Sequence, residues 1–337
     1  MTERYSRWED AMIAQIELLR FSHSDYGVAY LREFFMEMNA KYPAADRIAT
    51  EFLTAVQQLT LRDAEPIYVA HEACDLIDFA RKTFDPEACH PSDPFCPRGF
   101  ALFAKPLVVE DMPVTEQAPM RSALGTIPIR AMAWTSVHNE DLTQGTFWIS
   151  FYVCVADERA LADATGVPDR WVTDDGNDMF DAMMRRMPLS LMHQYQWTWG
   201  TNPCYDSPES LPVMEGDKLT DVVERGRQQT AFVQAFWRLA SQFYPAKERA
   251  PRGLWRDANR KGILTKDVTV VRLRRSREGY EPSEATGRAL RVQFPVRGYW
   301  ARRHTREGTR QVWVRPHMKG DPDAPLQLTD RVWEFNR

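Results

Sequence analysis

The apolar residues of this chain change their spacing near residue 98, and that change limits the folds that the chain can adopt. In the first 85 residues they recur at three- and four-residue intervals, for example at Trp8, Met12, Ile16 and Leu19. This is the spacing of amphipathic helices. Two further helices are predicted in YGVAYLREFFMEMNA and ADRIATEFLTAVQQL. A fourth is predicted through IYVAHEACDLIDFARKTF, with Pro66 in its first turn.

After a segment punctuated by Pro and Gly (residues 86–99), short runs of β-branched and aromatic residues predict strands. Three such runs, expected to be neighbours in an antiparallel sheet, are GFALFAKPLVV, IPIRAMAWTSV and GTFWISFYVCV. Helical spacing returns over residues 176–195 and 218–243. The middle of the chain therefore predicts a sheet with helices added to it.

The C-terminal part contains four strand candidates, DVTVVRLRR, RALRVQFPVRGYW, RQVWVRPHM and DRVWEFN, preceded by AKERAPRGLWRDANRKG as a basic connector or short helix. We predict an α+β fold with a helical N-terminal part, central antiparallel strands and a basic C-terminal antiparallel β part. Two domains are expected. Residues 1–250 would form an acidic helical and mixed α/β core domain, and residues 251–337 a basic β-rich region.

The hydrophobic content of 44% includes 11 Trp and 17 Phe, which is enough apolar volume for a folded core. No apolar run reaches the roughly 18 residues that a membrane span needs. The first residues are charged and lack the apolar segment of a signal peptide. We therefore expect a cytoplasmic protein without a membrane partner.

Charge is distributed unevenly along the chain. Residues 252–319 contain 18 Lys and Arg against 6 Asp and Glu, whereas residues 1–251 contain 23 against 37. Such asymmetry indicates an anionic partner for the basic part, or attraction between the two parts of the chain itself. The charge alone does not decide between these two interpretations.

Motifs of several enzyme and metal-binding classes are missing. The chain has no phosphate-binding glycine loop, no G-x-S-x-G elbow and no H-E-x-x-H pair. CHPSDPFC could offer Cys89, His90 and Cys96 to a metal, but no fourth ligand has a zinc-site spacing, so reduced structural cysteines are favoured. A solvated helix face is predicted for His71, Asp75 and Asp78. We expect no cofactor and no metal.

An arginine and a histidine stand seven positions apart at Arg186 and His193, and again at Arg297 and His304. HEPN-type ribonucleases carry such a pair at a similar spacing on a helix. Here Pro188 interrupts the first segment and the second lies in strand-like sequence. A metal-independent ribonuclease therefore stays an alternative, and so does a protein-interaction scaffold.

The segment VRGYWARRHTREGTRQVWVRPHMKG (residues 296–320) mixes six arginines with aromatic residues and predicts a β-hairpin that turns at HTREGTR. Guanidinium groups bind phosphate and bases stack on planar rings, so this composition is typical of single-stranded nucleic-acid binding. The same groups could clamp an acidic peptide. Taken singly, Trp300 and Trp313 are each more typical of the core of a sheet than of a binding face. We expect RNA rather than DNA, or a peptide, and no catalytic residues. The predicted binding residues are Arg297, Tyr299, Trp300, Arg302, Arg303, His304, Arg310, Trp313, Arg315, His317 and Lys319.

Four segments, PRGFALFAKPL, FWRLASQFYP, RDANRKG with VTVVRLRR, and VRGYWARR with RQVWVRPHMKGDPDAPL, resemble in this order a family of actinobacterial and phage-borne proteins. That family ends in Gly-His-Trp, Trp-Ile-x-Pro and Lys-Gly-Pro, and the ending is similar to that of type V-A anti-CRISPR proteins. The resemblance implies a non-enzymatic binder that engages RNA, a nascent-chain complex or a peptide. Tyr299 stands where the family has His, so a proton-transfer role is not implied at this position.

Overall fold

The computed structural model describes residues 5–39, 46–84, 94, 96–109, 128–137, 146–165, 180–198, 219–242, 246–272, 294–296, 299–305, 308–314 and 317–319. Over these ranges the chain has the predicted α+β class, with one seven-stranded mixed sheet and two short antiparallel pairs. None of the helices in these ranges combines the length and apolar composition of a bilayer-spanning segment.

Three helices open the chain, in agreement with the apolar periodicity: α1 (Asp10–Ser22), α2 (Asp25–Asn39) and α3 (Asp46–Asp63). The buried Gln15 joins the first to the third. Its Nε2 donates hydrogen bonds to the carbonyl oxygens of Leu61, at 2.6 Å, and Ala64, at 2.9 Å. Because leaving a buried polar group unpaired costs about 1–3 kcal/mol, these bonds fix α1 against the end of α3.

The predicted fourth helix is wrong at its start. Residues Glu65–Val69 form strand β1, and helix α4 (His71–Thr83) begins after Ala70, whose backbone is extended. Pro66 lies near the beginning of the strand, where a missing N–H removes little pairing. The next three residues are buried, and this β-branched and aromatic run suits a strand with a neighbour on either side.

The seven-stranded sheet has the order β5-β4-β3-β2-β1-β7-β6. Strand β1 runs parallel to β2 and β7, while the other neighbours are antiparallel, which confirms the predicted central antiparallel strands. Helix α4 provides the crossover that a parallel β1–β2 pair requires. The strands are β2 (Arg98–Val108), β3 (Pro128–Val137), β4 (Thr146–Cys154), β5 (Leu189–Thr198), β6 (Ala246–Arg249) and β7 (Asp267–Val271).

Two short helices, α5 (Val155–Thr165) and α6 (Phe180–Arg186), follow β4. The helix predicted over residues 176–195 is therefore wrong in its second half, because β5 pairs there with β4. Pro188 explains the difference. It cannot donate a helical hydrogen bond, and it disfavours the helical conformation of the residue before it.

Helices cover both faces of the sheet. The predicted long helix is confirmed as α7 (Leu219–Gln242), and its Phe232 ring lies 6.0 Å from Phe103 and 6.1 Å from Phe151 between centroids. On the other face Tyr152 accepts a hydrogen bond from Gln57 of α3. Since successive strand residues point to opposite faces, Phe151 and Tyr152 bind the sheet to one helix on each side.

The C-terminal part contributes helix α8 (Arg252–Arg260) between β6 and β7, and then four short strands. These are β8 (Phe294–Val296), β9 (Tyr299–Thr305), β10 (Gly308–Val314) and β11 (His317–Lys319). They form two antiparallel pairs, the predicted hairpin β9–β10 and the pair β8–β11, which was not predicted. Strand β7, however, joins the large sheet and runs parallel to β1. It also pairs with β6, so this pair spans residue 250, where the sequence predicts a domain boundary. The division into two domains stays a prediction. The candidate DRVWEFN lies outside the described residues.

Candidate nucleic-acid interface

The predicted β-hairpin is confirmed by the pairing of β9 with β10. Trp300 stands opposite Trp313, so each strand contributes one tryptophan to the same face of the hairpin. The register continues with Arg302 opposite Gln311 and Arg303 opposite Arg310. The hairpin therefore brings one arginine from each strand to a single register position.

The two tryptophans attach the hairpin to the body of the protein. Trp313 is 4% exposed, and its ring lies 5.2 Å from Trp300 and 5.8 Å from Phe79 of α4. Trp300 Nε1 donates a hydrogen bond to the carbonyl of Ala80 at 3.1 Å, and its ring contacts Phe84 at 5.2 Å. A base has no access to a ring that is already covered, so Trp313 has the core role that the sequence favours for it and anchors the hairpin.

Arg238 of α7 forms a second anchor. Its side chain is buried, and Nη1 donates a hydrogen bond to the carbonyl of Gln311 in β10 at 3.1 Å. The guanidinium carbon lies 5.8 Å from the centre of the Phe84 ring, which is within cation–π distance. No sequence motif predicts a role for this residue. The available signal was an arginine between Trp237 and Leu239 in a mostly apolar helical segment.

Three of the predicted binding residues on the hairpin are exposed. Tyr299 is 48% exposed, and the side chains of Arg302 and Arg303 are exposed as well. By the alternation of strand residues, Tyr299 and Arg303 lie on the face opposite Trp300. Among the described residues, no acidic side chain forms an ion pair with either arginine. The hairpin thus presents two uncompensated guanidinium groups and one phenol ring to solvent.

The remaining predicted residues are placed less fully. Lys319 is exposed at the end of β11, which pairs with β8 rather than with the hairpin. His304, Arg310 and His317 belong to strands β9, β10 and β11 by their backbone. Two further residues of the predicted set lie outside the described residues, Arg297 and Arg315.

Cysteine and metal chemistry find no support in the described part of the chain. Burial raises the pKa of Cys74 to about 11 and that of Cys96 to about 12, and it also raises the pKa of Cys154. All three thiols are therefore neutral near pH 7 and poor nucleophiles. No group of three metal-ligating side chains occurs among the described residues. The segment that contains Cys89 and His90 lies outside them.

The helix face that carries His71 is occupied by ion pairs rather than by a metal-binding arrangement. Asp75 forms an ion pair with Lys105 of β2. Asp78 accepts a hydrogen bond from Arg81 at 3.0 Å, and Lys82 lies 3.7 Å away. Each carboxylate thus has a cationic partner, and His71 itself is exposed to solvent.

The first arginine–histidine pair does not lie on one helix. Arg186 ends α6, and its guanidinium carbon lies 5.8 Å from the centre of the Tyr26 ring. His193 belongs to β5, where it pairs with Phe151. The helical arrangement that the ribonuclease alternative requires is therefore absent at this pair.

Comparisons with known proteins return no match. No protein-family model matches the chain, and neither a curated protein nor a solved structure is similar to it. The resemblance to type V-A anti-CRISPR proteins consequently stays a prediction. The function is therefore inferred from the side chains that the hairpin and its neighbours expose.

The buried thiols lead to a testable prediction. The variant Cys89→Ser/Cys204→Ser keeps Cys74, Cys96 and Cys154. In its native state at about pH 8 we expect almost no reaction with Ellman's reagent. Complete reaction is expected in denaturant. The measurement is the absorbance of released thionitrobenzoate. Rapid reaction of one native thiol would show an accessible thiolate and would support cysteine chemistry.

The same shifts predict the direction of alkaline instability. A thiol of the unfolded chain has its ordinary pKa of 9.0, whereas the pKa of Cys74 in the folded protein is about 11. The folded state therefore binds the proton more tightly, and its stabilising contribution is complete below about pH 9 and is lost as the pH rises towards 11. Urea unfolding of the same variant at several alkaline pH values measures this loss.

Proposed function

We propose that this protein is a non-enzymatic RNA-binding protein whose contact surface is formed by the exposed side chains of strand β9 in the β9–β10 hairpin. The observation that carries the proposal is the separation of roles within the hairpin. Trp300 and Trp313 hold it against α4, and Tyr299, Arg302 and Arg303 remain exposed. A surface on a firmly packed element keeps its geometry when it binds, which reduces the ordering cost of association.

The chemistry of the exposed groups favours a single-stranded partner. Guanidinium groups form paired hydrogen bonds with phosphate oxygens, and a phenol ring such as that of Tyr299 stacks on an unpaired base. In duplex DNA the bases are stacked on one another and are not available to such a ring. RNA offers unpaired bases in loops and at ends, so single-stranded RNA is the partner that uses all three residues.

The proposed biological role follows from the resemblance to type V-A anti-CRISPR proteins. A protein of a phage or another mobile element would engage the RNA of a complex that contains a nascent chain, and it would act by binding rather than by catalysis. The surplus of positive charge over residues 252–319 supports an anionic target of this kind. Affinity purification from the native host, with RNA and protein both identified, tests this part of the proposal.

The RNA contact is tested by the fluorescence anisotropy of labelled single-stranded RNA. For the wild type we expect affinity that falls steeply between about 50 and 200 mM salt. Arg302→Ala/Arg303→Ala is expected to weaken binding by at least about tenfold and to reduce the salt slope by about 0.7 per lost phosphate contact. Tyr299→Ala should also weaken binding, whereas Tyr299→Phe keeps the ring and should bind like the wild type.

The matched control is Lys82→Ala/Arg185→Ala, which removes two exposed positive charges from other helices. Its affinity should stay close to that of the wild type. Equal losses in both double variants would contradict a localised hairpin contact. Cleavage of the RNA that is lost in His304→Ala would favour the ribonuclease instead, and binding of an acidic peptide without RNA binding would favour peptide recognition.

A further inference from the structure

Helix α8 carries a row of arginines on its exposed side. Arg252, Arg256 and Arg260 follow one another at four-residue intervals, and all three are exposed. Residues four apart lie on the same side of a helix, and each step rises by about 6 Å. The row, which we call the α8 arginine stripe, therefore places three guanidinium groups along one line.

The positive charge of the stripe is only partly compensated. Asp257 is the one acidic residue in the sequence of α8, and it is shared by Arg260 at 3.1 Å and Arg20 at 3.6 Å. The Arg260 side chain remains 75% exposed in this pair. Arg252 and Arg256 form no ion pair with any described residue. Over residues 246–272, all of which are described, eight Lys and Arg stand against three Asp and Glu.

The fold does not require this stripe. The opposite side of α8 packs on the protein through Leu254, Trp255 and the buried Ala258, and the ammonium group of Lys266 lies 4.7 Å from the centre of the Trp255 ring. Like charges four residues apart destabilise a helix by about 0.2–0.5 kcal/mol per pair. The stripe thus has a small cost in the free protein that a bound anion would remove.

We infer that the α8 arginine stripe, on a helix that contacts α1 through the Arg20–Asp257 ion pair, binds the phosphate backbone of RNA and forms a second contact in addition to the hairpin. The inference rests on the proposed function in taking RNA as the partner. A polymer with regularly spaced phosphates matches a row of evenly spaced donors. Guanidinium groups also bind phosphate oxygens through two hydrogen bonds at once, which a lysine row could not do.

The experiment compares three sets of substitutions in the full chain by RNA anisotropy and salt titration. The stripe variant is Arg252→Gln/Arg256→Gln/Arg260→Gln, and its control, Arg32→Gln/Lys82→Gln/Arg185→Gln, removes the same net charge elsewhere. The third is the hairpin variant Arg302→Ala/Arg303→Ala. We expect the stripe variant to lose at least about tenfold in affinity and about 2 in salt slope. The control should bind like the wild type, and circular dichroism should show all variants folded.

The outcomes separate this inference from the proposed function. Weaker binding only in the hairpin variant would overturn the stripe contact and leave the hairpin proposal standing. Weaker binding only in the stripe variant would overturn the hairpin contact and leave the stripe contact standing. If both contacts are real, the free-energy losses should add when the two sets are combined. Polyglutamate that binds as tightly as RNA, and loses its affinity in the stripe variant, would assign the stripe to an acidic protein and overturn the inference.

Discussion

Replacing Trp313 with alanine is expected to lower the free energy of unfolding by roughly 3–5 kcal/mol, as for other large aromatic side chains in a core. The side chain is 4% exposed and contacts both Phe79 and Trp300, so its removal leaves a cavity between the hairpin and α4. Urea unfolding, followed by circular dichroism, measures the loss. We also expect weaker RNA binding, because Arg302 and Arg303 would no longer be held on a packed strand.

Two further substitutions make this result specific. Trp313→Phe keeps a ring against Phe79 and removes a buried Nε1–H that has no hydrogen-bond partner among the described residues, so it should cost less than about 1.5 kcal/mol. Tyr299→Ala changes an exposed residue of the paired strand β9 and should stay within about 0.5 kcal/mol of the wild type. A Trp313→Ala protein as stable as the Tyr299→Ala protein would contradict the anchored hairpin.

Elements with long and regular apolar spacing could be predicted from the sequence. The first three helices, α7 and the strands β2 to β4 all have a period that local residues alone determine. Their apolar residues face a neighbouring layer, so the period of burial and the period of the sequence agree. The two wrong predictions concern β1 and β5, which are short apolar runs directly beside a helix in the chain.

Strand β1 shows why the secondary structure of such a short run cannot be predicted from local sequence. Ile67, Tyr68 and Val69 are compatible with the first turn of a helix as well as with a strand, and Pro66 suits either start. The choice depends on β2 and β7, whose partner residues are about 30 and 200 positions away in the chain. No local pattern contains that information. The helix prediction over β5 is wrong for the same reason, because the pairing of this strand with β4 outweighs the helical spacing.

The candidate site was predicted in position but not in detail. Interleaved arginines and tryptophans identified the hairpin, since alternation along a strand is a local property. Which elements cover the tryptophans depends on α4 and α7, so the contribution of Arg238 became apparent only from the fold. The segment that contains the α8 arginine stripe was predicted as a basic connector or short helix, and the stripe itself was not predicted because exposure cannot be deduced from charge.

The second large effect is expected at a buried ion pair between β3 and α5. Arg130 donates from Nε and Nη2 to the two carboxylate oxygens of Asp157, each at 2.7 Å, and from Nη1 to the carbonyl of Ala104 at 2.8 Å. Burial acts to lower the pKa of Arg130, but its hydrogen bonds with Asp157 and the carboxylate charge outweigh that effect and raise it. A guanidinium stays charged in proteins, so the buried charge of Arg130 depends on Asp157 for its ionic partner.

Asp157→Ala leaves this charge buried and unpaired, so we expect a loss of roughly 3–5 kcal/mol in the free energy of unfolding, measured by urea denaturation. The double variant Arg130→Met/Asp157→Leu removes both charges and should recover most of that loss, because well-packed apolar residues often replace a buried ion pair without cost. The exposed pair Arg32–Glu51 is the comparison, and Glu51→Ala should change stability by less than about 1 kcal/mol. If Asp157→Ala proved as mild as Glu51→Ala, water would have to reach the guanidinium, and Arg130 would be a solvated residue rather than a buried charge that depends on its partner.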